Sequence, residues 1–455
     1  MTHTKLISLP DYANRILTVL ESAGFEAWCV GGFVRDAIRG EEAHDVDIAT
    51  NARWEQSKKL FEAQGYKVYE TGTKHGTISV SCAHEIVEIT TYRTEGAYSD
   101  NRHPDEVFFT SRIEDDLARR DFTMNAIAYH PVRGFCDPYQ GLKDIESQTI
   151  RAVGEPSIRF SEDALRILRA CRFSSQLGFS VEAQTARAMI DKKSLLNQVS
   201  VERIAHELDG FFCGAHIHDA LCNCVEIIGQ IIPETRAMID FDQRTPYHIY
   251  DVLEHTAYCM ENCPQTSLVR WSAFFHDIGK PPAFFLDDEG VGHFYGHAKI
   301  SVDIAQKYLK LFKMPHAFTH KALLLIKHHD DVIVPQNKAV KRALRRFDED
   351  PDLFRALCAL KKGDASAQAP QCKGRIALAD ELELVLDEIL AENEVFSLKK
   401  LAINGNDILQ LSVAPGPLVG TLLEAALDAV LDEEVPNEHD KLLAYVAKLI
   451  EKTSA

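Results

Sequence analysis

The sequence predicts an α+β protein, with a mixed α/β head followed by an all-α remainder. Two observations carry this. Up to about residue 150, β-branched runs alternate with helical stretches, whereas from about 155 onward apolar residues recur at helical spacing almost everywhere. At 455 residues the chain is too long for one hydrophobic core, and its length suggests about three domains. Breaks are expected near Gly154-Glu155-Pro156, from Asp242 to Pro246, and from Ala367 to Lys373. They give expected parts 1–150, 151–244, 245–366 and 367–455.

In chain order, the apolar run Ala27 to Val30 reads as a buried strand, and the pair Gly31-Gly32 as the turn after it. Phe33 to Arg39 reads as a helix. Asp45-Val46-Asp47, continued by Ile48, reads as a second strand with both carboxylates on one face. Lys67 to Glu70, Thr77 to Ser81 and Ile86 to Thr91 alternate as strands do, with a turn from Gly72 to Gly76. Glu162 to Phe173 reads as one continuous helix, which makes Asp163 and Arg166 neighbours at i and i+3. There are no repeats and no low-complexity tracts.

The bulk numbers exclude several classes. A hydrophobic share of 45% and a charged share of 26% are those of an ordinary globular chain, which argues against disorder. No apolar run approaches the roughly 20 residues that span a bilayer, and the first residues lack a secretory core, so a cytoplasmic protein with no membrane partner is expected. The 11 cysteines contain no CxxC pair, which fits reduced thiols better than a zinc site or disulfide frame. A net charge of −18 argues against broad nucleic-acid binding but leaves room for a local basic groove. Arg112, Arg119, Arg120, Arg151, Arg159, Arg166, Arg169 and Arg172 crowd one region, and Lys338, Lys341, Arg342, Arg345 and Arg346 another. No obligate protein partner is evident.

Three segments carry chemistry. Paired glycines let backbone approach a phosphate, and the helix after them points its first amides at the same anion. Two carboxylates beside such a cradle suit Mg²⁺, which shares its oxygen shell with substrate phosphates. The competing reading is a βα turn followed by a solvated acidic loop. In Arg119-Arg120-Asp121-Phe122-Thr123-Met124-Asn125, guanidinium forks match phosphate oxygens and an asparagine amide can read a sugar hydroxyl. The same segment also reads as a surface helix start capped by Asp121. On the helix from Glu162, a fixed carboxylate and guanidinium can read base edges by hydrogen bonding, or else form one exposed ion pair among solvated arginines.

Together these segments resemble the class II tRNA nucleotidyltransferases, the bacterial CCA-adding enzymes and their poly(A) polymerase relatives. The resemblance rests on Gly31-Gly32-Phe33-Val34-Arg35-Asp36, Asp45-Val46-Asp47, Arg119 to Ala126, and Glu162-Asp163-Ala164-Leu165-Arg166 with Arg169. Ser200 to Arg203 and the tail segments Leu401 to Asp407 and Pro415 to Gly420 add to it. It implies a nucleotidyltransferase head that uses CTP, ATP and Mg²⁺ on tRNA, with a helical neck, body and tail. Asp45 and Asp47 would hold Mg²⁺. Gly31, Gly32, Arg35, Arg120 and Asn125 would face the nucleotide. Asp163 and Arg166 would select the base, supported by Arg169 and Arg172. Glu88 falls at a family acidic position, or is a solvent-facing strand residue. The stretch Tyr92 to Phe109, through Glu95, Tyr98, Arg102, His103 and Pro104, resembles the loop of enzymes that add the terminal A.

A further pattern, His255, His276-Asp277 and Asp364, resembles the HD phosphohydrolase superfamily and implies a divalent metal such as Mn, Ni, Co or Fe. His297, His328 and His329 could extend it to a second ion. CCA addition is the leading expectation. A-only addition or poly(A) synthesis shares its motifs. An HD phosphohydrolase with a silent head and a non-enzymatic tRNA-binding module are the readings from other classes.

Overall fold

The computed structural model describes residues 7–42, 45–96, 107–392, 397–432 and 434–454. It comprises two compact units, Met1–Pro233 and Glu234–Ala455.

The first unit begins with α1 (Asp11–Ser22), β1 (Ala27–Val30), α2 (Gly32–Arg39), β2 (Asp47–Thr50) and α3 (Trp54–Ala63). Then come β3 (Lys67–Gly72), β4 (Thr77–Cys82), β5 (Glu85–Thr91), β6 (Arg93–Glu95), β7 (Val107–Phe109) and α4 (Ile113–Ala118). The head closes with β8 (Ala128–His130), β9 (Gly134–Cys136), α5 (Gly141–Glu146) and β10 (Thr149–Ile150). The neck follows as α6 (Pro156–Glu162), α7 (Leu165–Leu177), β11 (Ser180–Val181), α8 (Ala183–Lys192), α9 (Val201–Phe212) and α10 (Ile217–Ile231).

Seven strands form one sheet in the order β3-β4-β5-β2-β1-β8-β9. The pair β2–β5 is parallel and sets Asp47 opposite Glu88, while β1 and β2 run antiparallel with Val30 opposite Asp47. All four residues of β1 are buried, as its unbroken apolar run requires of a central strand. A cluster of Trp28, Val30, Ala49, Tyr92, Leu117 and Ala128 covers one side of this centre.

Two local expectations are corrected. Asp45 lies outside the strand, which begins at Asp47, so the two carboxylates are not placed by strand alternation; Asp45 is exposed just ahead of it. The helix expected across Glu162–Phe173 is interrupted. Asp163 is extended (φ −137°, ψ 104°), and its Oδ1 accepts the Leu165 amide at 3.0 Å, opening α7 as a new helix. Short aspartate side chains compete for backbone donors in this way, and here that competition wins over helical continuity.

The second unit contains α11 (Val252–Glu261), α12 (Ser267–Phe275), α13 (Lys280–Ala283), β12 (Phe285–Leu286) and β13 (Gly292–His293). It continues with α14 (His297–Leu311), α15 (His316–His328), α16 (Asn337–Arg346), α17 (Pro351–Ser366) and α18 (Gly374–Ala391). It ends with α19 (Gly405–Gln410), α20 (Pro417–Leu431) and α21 (His439–Ser454), which share a core of Ile403, Ile408, Leu422, Leu427, Leu442 and Val446. The basic cluster on α16 is largely paired with α20. Lys338 and Arg342 meet Asp432, and Arg345 meets Glu424 and Asp428. Among the described residues, no helix is long and apolar enough to cross a membrane.

Candidate active site and a second candidate metal centre

The head cavity starts at the end of β1. Gly31 has φ +77°, and a Cβ there would sit 3.3 Å from Arg120 Nη1 and 3.4 Å from Asp47 Oδ2. Only glycine combines that backbone with that crowding. A cavity of about 630 Å³ opens here, and Gly31, Gly32, Arg35, Asp47, Arg120, Asn125, Asp163, Arg166 and Arg169 all line it.

Asp47 is flanked by Glu88 in register on β5. Burial, then Glu88, push its carboxyl up to about 6 against the pull of Arg120. A carboxylate so burdened is relieved by a cation, which is the donor chemistry expected of a Mg²⁺ site.

The arginines are held by a chain of acids. Arg35 forks onto Asp36 (2.7 and 2.8 Å) and donates to Asn125 Oδ1 (2.9 Å). Asn125 donates to Asp121 Oδ1 (3.2 Å), and Asp121 Oδ2 accepts from Arg169 (2.7 and 2.8 Å). Burial opposes the Asp121 charge, but Arg169 prevails and holds the carboxyl at about 2. Arg119 and Arg120 share the buried Asp116 at 2.7 and 3.3 Å. Arg172 does not line the cavity and sits 2.8 Å from Glu207.

The expected pair of Asp163 and Arg166 as helical neighbours is corrected. Asp163 is paired with Arg203 of α9 at 2.8 Å. Arg166 donates to Glu162 Oε2 at 2.7 Å and to the Arg119 carbonyl at 2.9 Å. Both line the cavity, each fixed by its own partner.

Sequence reasoning missed Phe173, His75 and Arg93, which also line the cavity. The Phe173 ring stands 5.2 Å from the guanidinium of Arg35, 5.3 Å from that of Arg169 and 4.8 Å from that of Arg172. Its place four residues after Arg169 and next to Arg172 was the available signal. The loop residues Tyr98, Arg102, His103 and Pro104 lie outside the described residues. On either side of them, β6 and β7 pair antiparallel.

In the second unit, His255, His276, Asp277 and Asp364 converge, with ligand atoms within 4.8 Å of one another. His255 Nε2 lies 3.1 Å from both Asp277 Oδ2 and Asp364 Oδ1, and 3.3 Å from His276 Nε2. The Nδ1 atoms of His255, His276, His297 and His329 each face a backbone carbonyl, of Ala367, Ala273, Phe294 and Ile326, at 2.6–3.2 Å. Such bonds orient the ring and leave Nε2 to face the cluster, as in metal-bound histidines. A positive charge belongs here. Burial opposes protonation of His255, yet Asp277 and Asp364 raise it to about 9.

Asp277 faces two ways. Its Oδ1 is buried without a hydrogen bond among the described residues, although His297 Nε2 and His329 Nε2 stand 3.3 and 3.7 Å away. Gly279 permits this, because a Cβ there would lie 2.4 Å from the His297 carbonyl. His328 is not part of the cluster. Its Nδ1 meets Asp331 at 2.9 Å. Lys280 Nζ lies 2.6 Å from Asp277 Oδ2. A cavity of about 570 Å³ opens onto Asp277, His297, His329 and Asp364.

The α/β head with its arginine-lined cavity defines a site built for a phosphate-bearing ligand. Residues 27–151 match the poly A polymerase head domain, 178–238 the probable RNA and SrmB-binding site of polymerase A, and 294–446 the tRNA nucleotidyltransferase domain 2. A CCA-adding enzyme of Lactiplantibacillus plantarum is 32% identical over 98% of each chain, and one of Lactobacillus helveticus is 46% identical over 48% of this chain and 54% of its own. The crystal structure of the Bacillus stearothermophilus CCA-adding enzyme in complex with CTP superposes with a TM-score of 0.77 at 27% identity, covering 97% of this chain and 98% of that one. The chain belongs to the CCA-adding enzyme family.

Proposed function

We propose that the protein adds C, C and A from CTP and ATP to the 3′ end of tRNA, releasing pyrophosphate, and that it does so in the cytoplasm. The observation that carries this is the joining of Asp47, paired with Glu88, to an arginine-lined cavity in a chain alike over its whole length to CCA-adding enzymes. Asp45 and Asp47 would hold Mg²⁺, which supplies charge neutralisation and Lewis acidity to phosphoryl transfer. The other steps belong to side chains. Gly31 and Gly32 leave room for the triphosphate, and Arg35 and Arg120 balance its charge. Asn125 orients the sugar. Asp163 and Arg166 present acceptor and donors to the base edge, each immobilised by Arg203 or Glu162. Arg169 and Arg172 support that reading face. The 3′-hydroxyl then displaces pyrophosphate by positioning and electrostatics, with no covalent enzyme intermediate. Function divides along the chain at about 150, 244 and 366 into head, neck and body, HD part and tRNA-holding tail.

The test is extension of tRNA transcripts ending before CCA, after C and after CC, each with CTP, ATP or both. Successive C, C and A, stopping there, is the expected product. A added only to the CC-ending transcript, or a long A tail, would overturn it.

A second reading concerns the other unit. The Nε2 atoms gathered around a two-sided Asp277 favour a divalent-metal centre that hydrolyses phosphoesters, with His255, His276, Asp277 and Asp364 as ligands. Elemental analysis of the purified chain checks it. A metal-free protein that takes up neither Mn, Ni, Co nor Fe would sink it.

A further inference from the structure

We infer that the cavity beside this histidine–aspartate cluster contains a nucleobase-stacking subsite, so that the phosphoester it takes is carried on a nucleoside. The inference rests on the second reading above and deepens it. Phe285, His293 and Tyr295 gather as a trio of rings at the cavity, all three centroids lying 5.3–5.6 Å from one another. Ring centroids of Phe285 and His293 are 5.3 Å apart at 28°, and those of His293 and Tyr295 are 5.4 Å apart at 17°. His293 and Tyr295 line the same cavity as Asp277, His297 and Asp364.

Two features distinguish this trio from ordinary packing. Tyr295 is 76% exposed and Phe285 45%, so aromatic faces are presented to solvent instead of being buried in the core. The trio is also prebuilt. Asp287 Oδ2 holds His293 Nε2 at 2.7 Å, while Asp287 Oδ1 accepts the amides of Glu289 and Val291 and closes the β12–β13 hairpin. Two residues beyond Tyr295, past Gly296 with φ +81°, the chain delivers His297 to the cluster. The stacking surface and the candidate metal ligand therefore share one short segment.

The same cavity supplies the phosphate end. Lys327 and Arg375 line it. Arg375 donates to Gln368 Oε1 at 3.0 Å, and Gln368 Nε2 donates to both oxygens of Asp364 at 3.0 and 3.1 Å. An exposed aromatic face, two cations and a metal-type cluster in one cavity match the three parts of a nucleoside phosphate. Stacking tolerates any base, because every base offers a π face.

Calorimetric titration of the full chain with AMP and with ribose 5-phosphate tests this, on the native sequence, Tyr295→Ala and Tyr295→Phe. Metal content, hydrolysis of p-nitrophenyl phosphate and CTP incorporation are followed in parallel. We expect AMP to bind about tenfold tighter than ribose 5-phosphate, Tyr295→Ala to erase that preference, and Tyr295→Phe to keep it. CTP incorporation and thermal stability should be unchanged in both variants. Equal binding of the two ligands, or a preference that survives Tyr295→Ala, overturns the subsite. Bound metal with p-nitrophenyl phosphate hydrolysis but no base preference overturns the subsite and leaves the metal centre standing. A Tyr295-dependent preference in a chain that takes up no metal does the reverse.

Discussion

The two candidate sites solve opposite electrostatic problems. In the head, positive charge is in excess. Arg35, Arg119, Arg120, Arg166 and Arg169 line an open cavity, each tied to an acid or a carbonyl. Such a surface is ready for a polyanion that comes and goes. In the second unit, lone pairs and carboxylates are in excess. His255, His276 and Asp277 are at most 1% exposed and point at one another. That arrangement suits a resident cation. A chain with net charge −18 thus offers a polyanion a basic cavity by local concentration of arginine, not by bulk charge.

The largest effect is expected from removal of the head carboxylate. Asp47→Ala should lower nucleotide incorporation by at least roughly 10³-fold in single-turnover extension while leaving the metal content of the second unit unaltered. Asp277→Asn should do the converse, abolishing metal uptake with incorporation retained. It also leaves buried Lys280 without its charge partner, so a stability loss of about 3–5 kcal/mol in urea unfolding is expected. A variant that takes up metal as the native chain does would refute Asp277 as a ligand.

Phe173→Leu removes the ring shared by three guanidiniums and should raise KM for CTP and ATP alike by about five- to tenfold, with kcat little changed and Phe173→Tyr restoring it. Incorporation should fall as pH drops through about 6, where Asp47 takes up a proton. Because Mg²⁺ binds the deprotonated form, higher Mg²⁺ should move that midpoint to lower pH; a midpoint indifferent to Mg²⁺ would assign the titration elsewhere. The smallest change is expected of Arg345→Ala, whose surface pairs with Glu424 and Asp428 should contribute less than about 1 kcal/mol in thermal unfolding.

Much of this was legible in the sequence because it was local. The run Ala27 to Asp36 specifies strand, glycine turn and helix within ten consecutive residues, and β5 announces itself by its β-branched apolar residues Ile86, Val87 and Ile89. What was not legible depended on distance or phase. The partner of Asp163 is Arg203, on another helix. The i, i+4 pair of Glu162 and Arg166 was present in the sequence, but i, i+3 spacing offered an equally good partner and only the break at Asp163 decides between them. His328 and His329 are adjacent, and spacing alone could not say which points inward. The Phe285, His293 and Tyr295 trio comes together through a hairpin of two-residue strands, too short to leave an alternating pattern.

The parallel pairing of β2 with β5 has a consequence for how such chains can change. Asp47 and Glu88 are brought together by the register of β2 on β5, although α3, β3 and β4 intervene in the chain and β4 itself pairs with β5. Insertions or deletions in the connection from α3 to β3, Gln64 to Tyr66, leave the carboxylates where they are, whereas one within β4 would slip its pairing with β5. A single residue gained or lost between Glu85 and Glu88 would turn Glu88 to the opposite face. Tolerance to length change should therefore be found in the connection before β3 and vanish within the paired strands, above all in those four positions of β5.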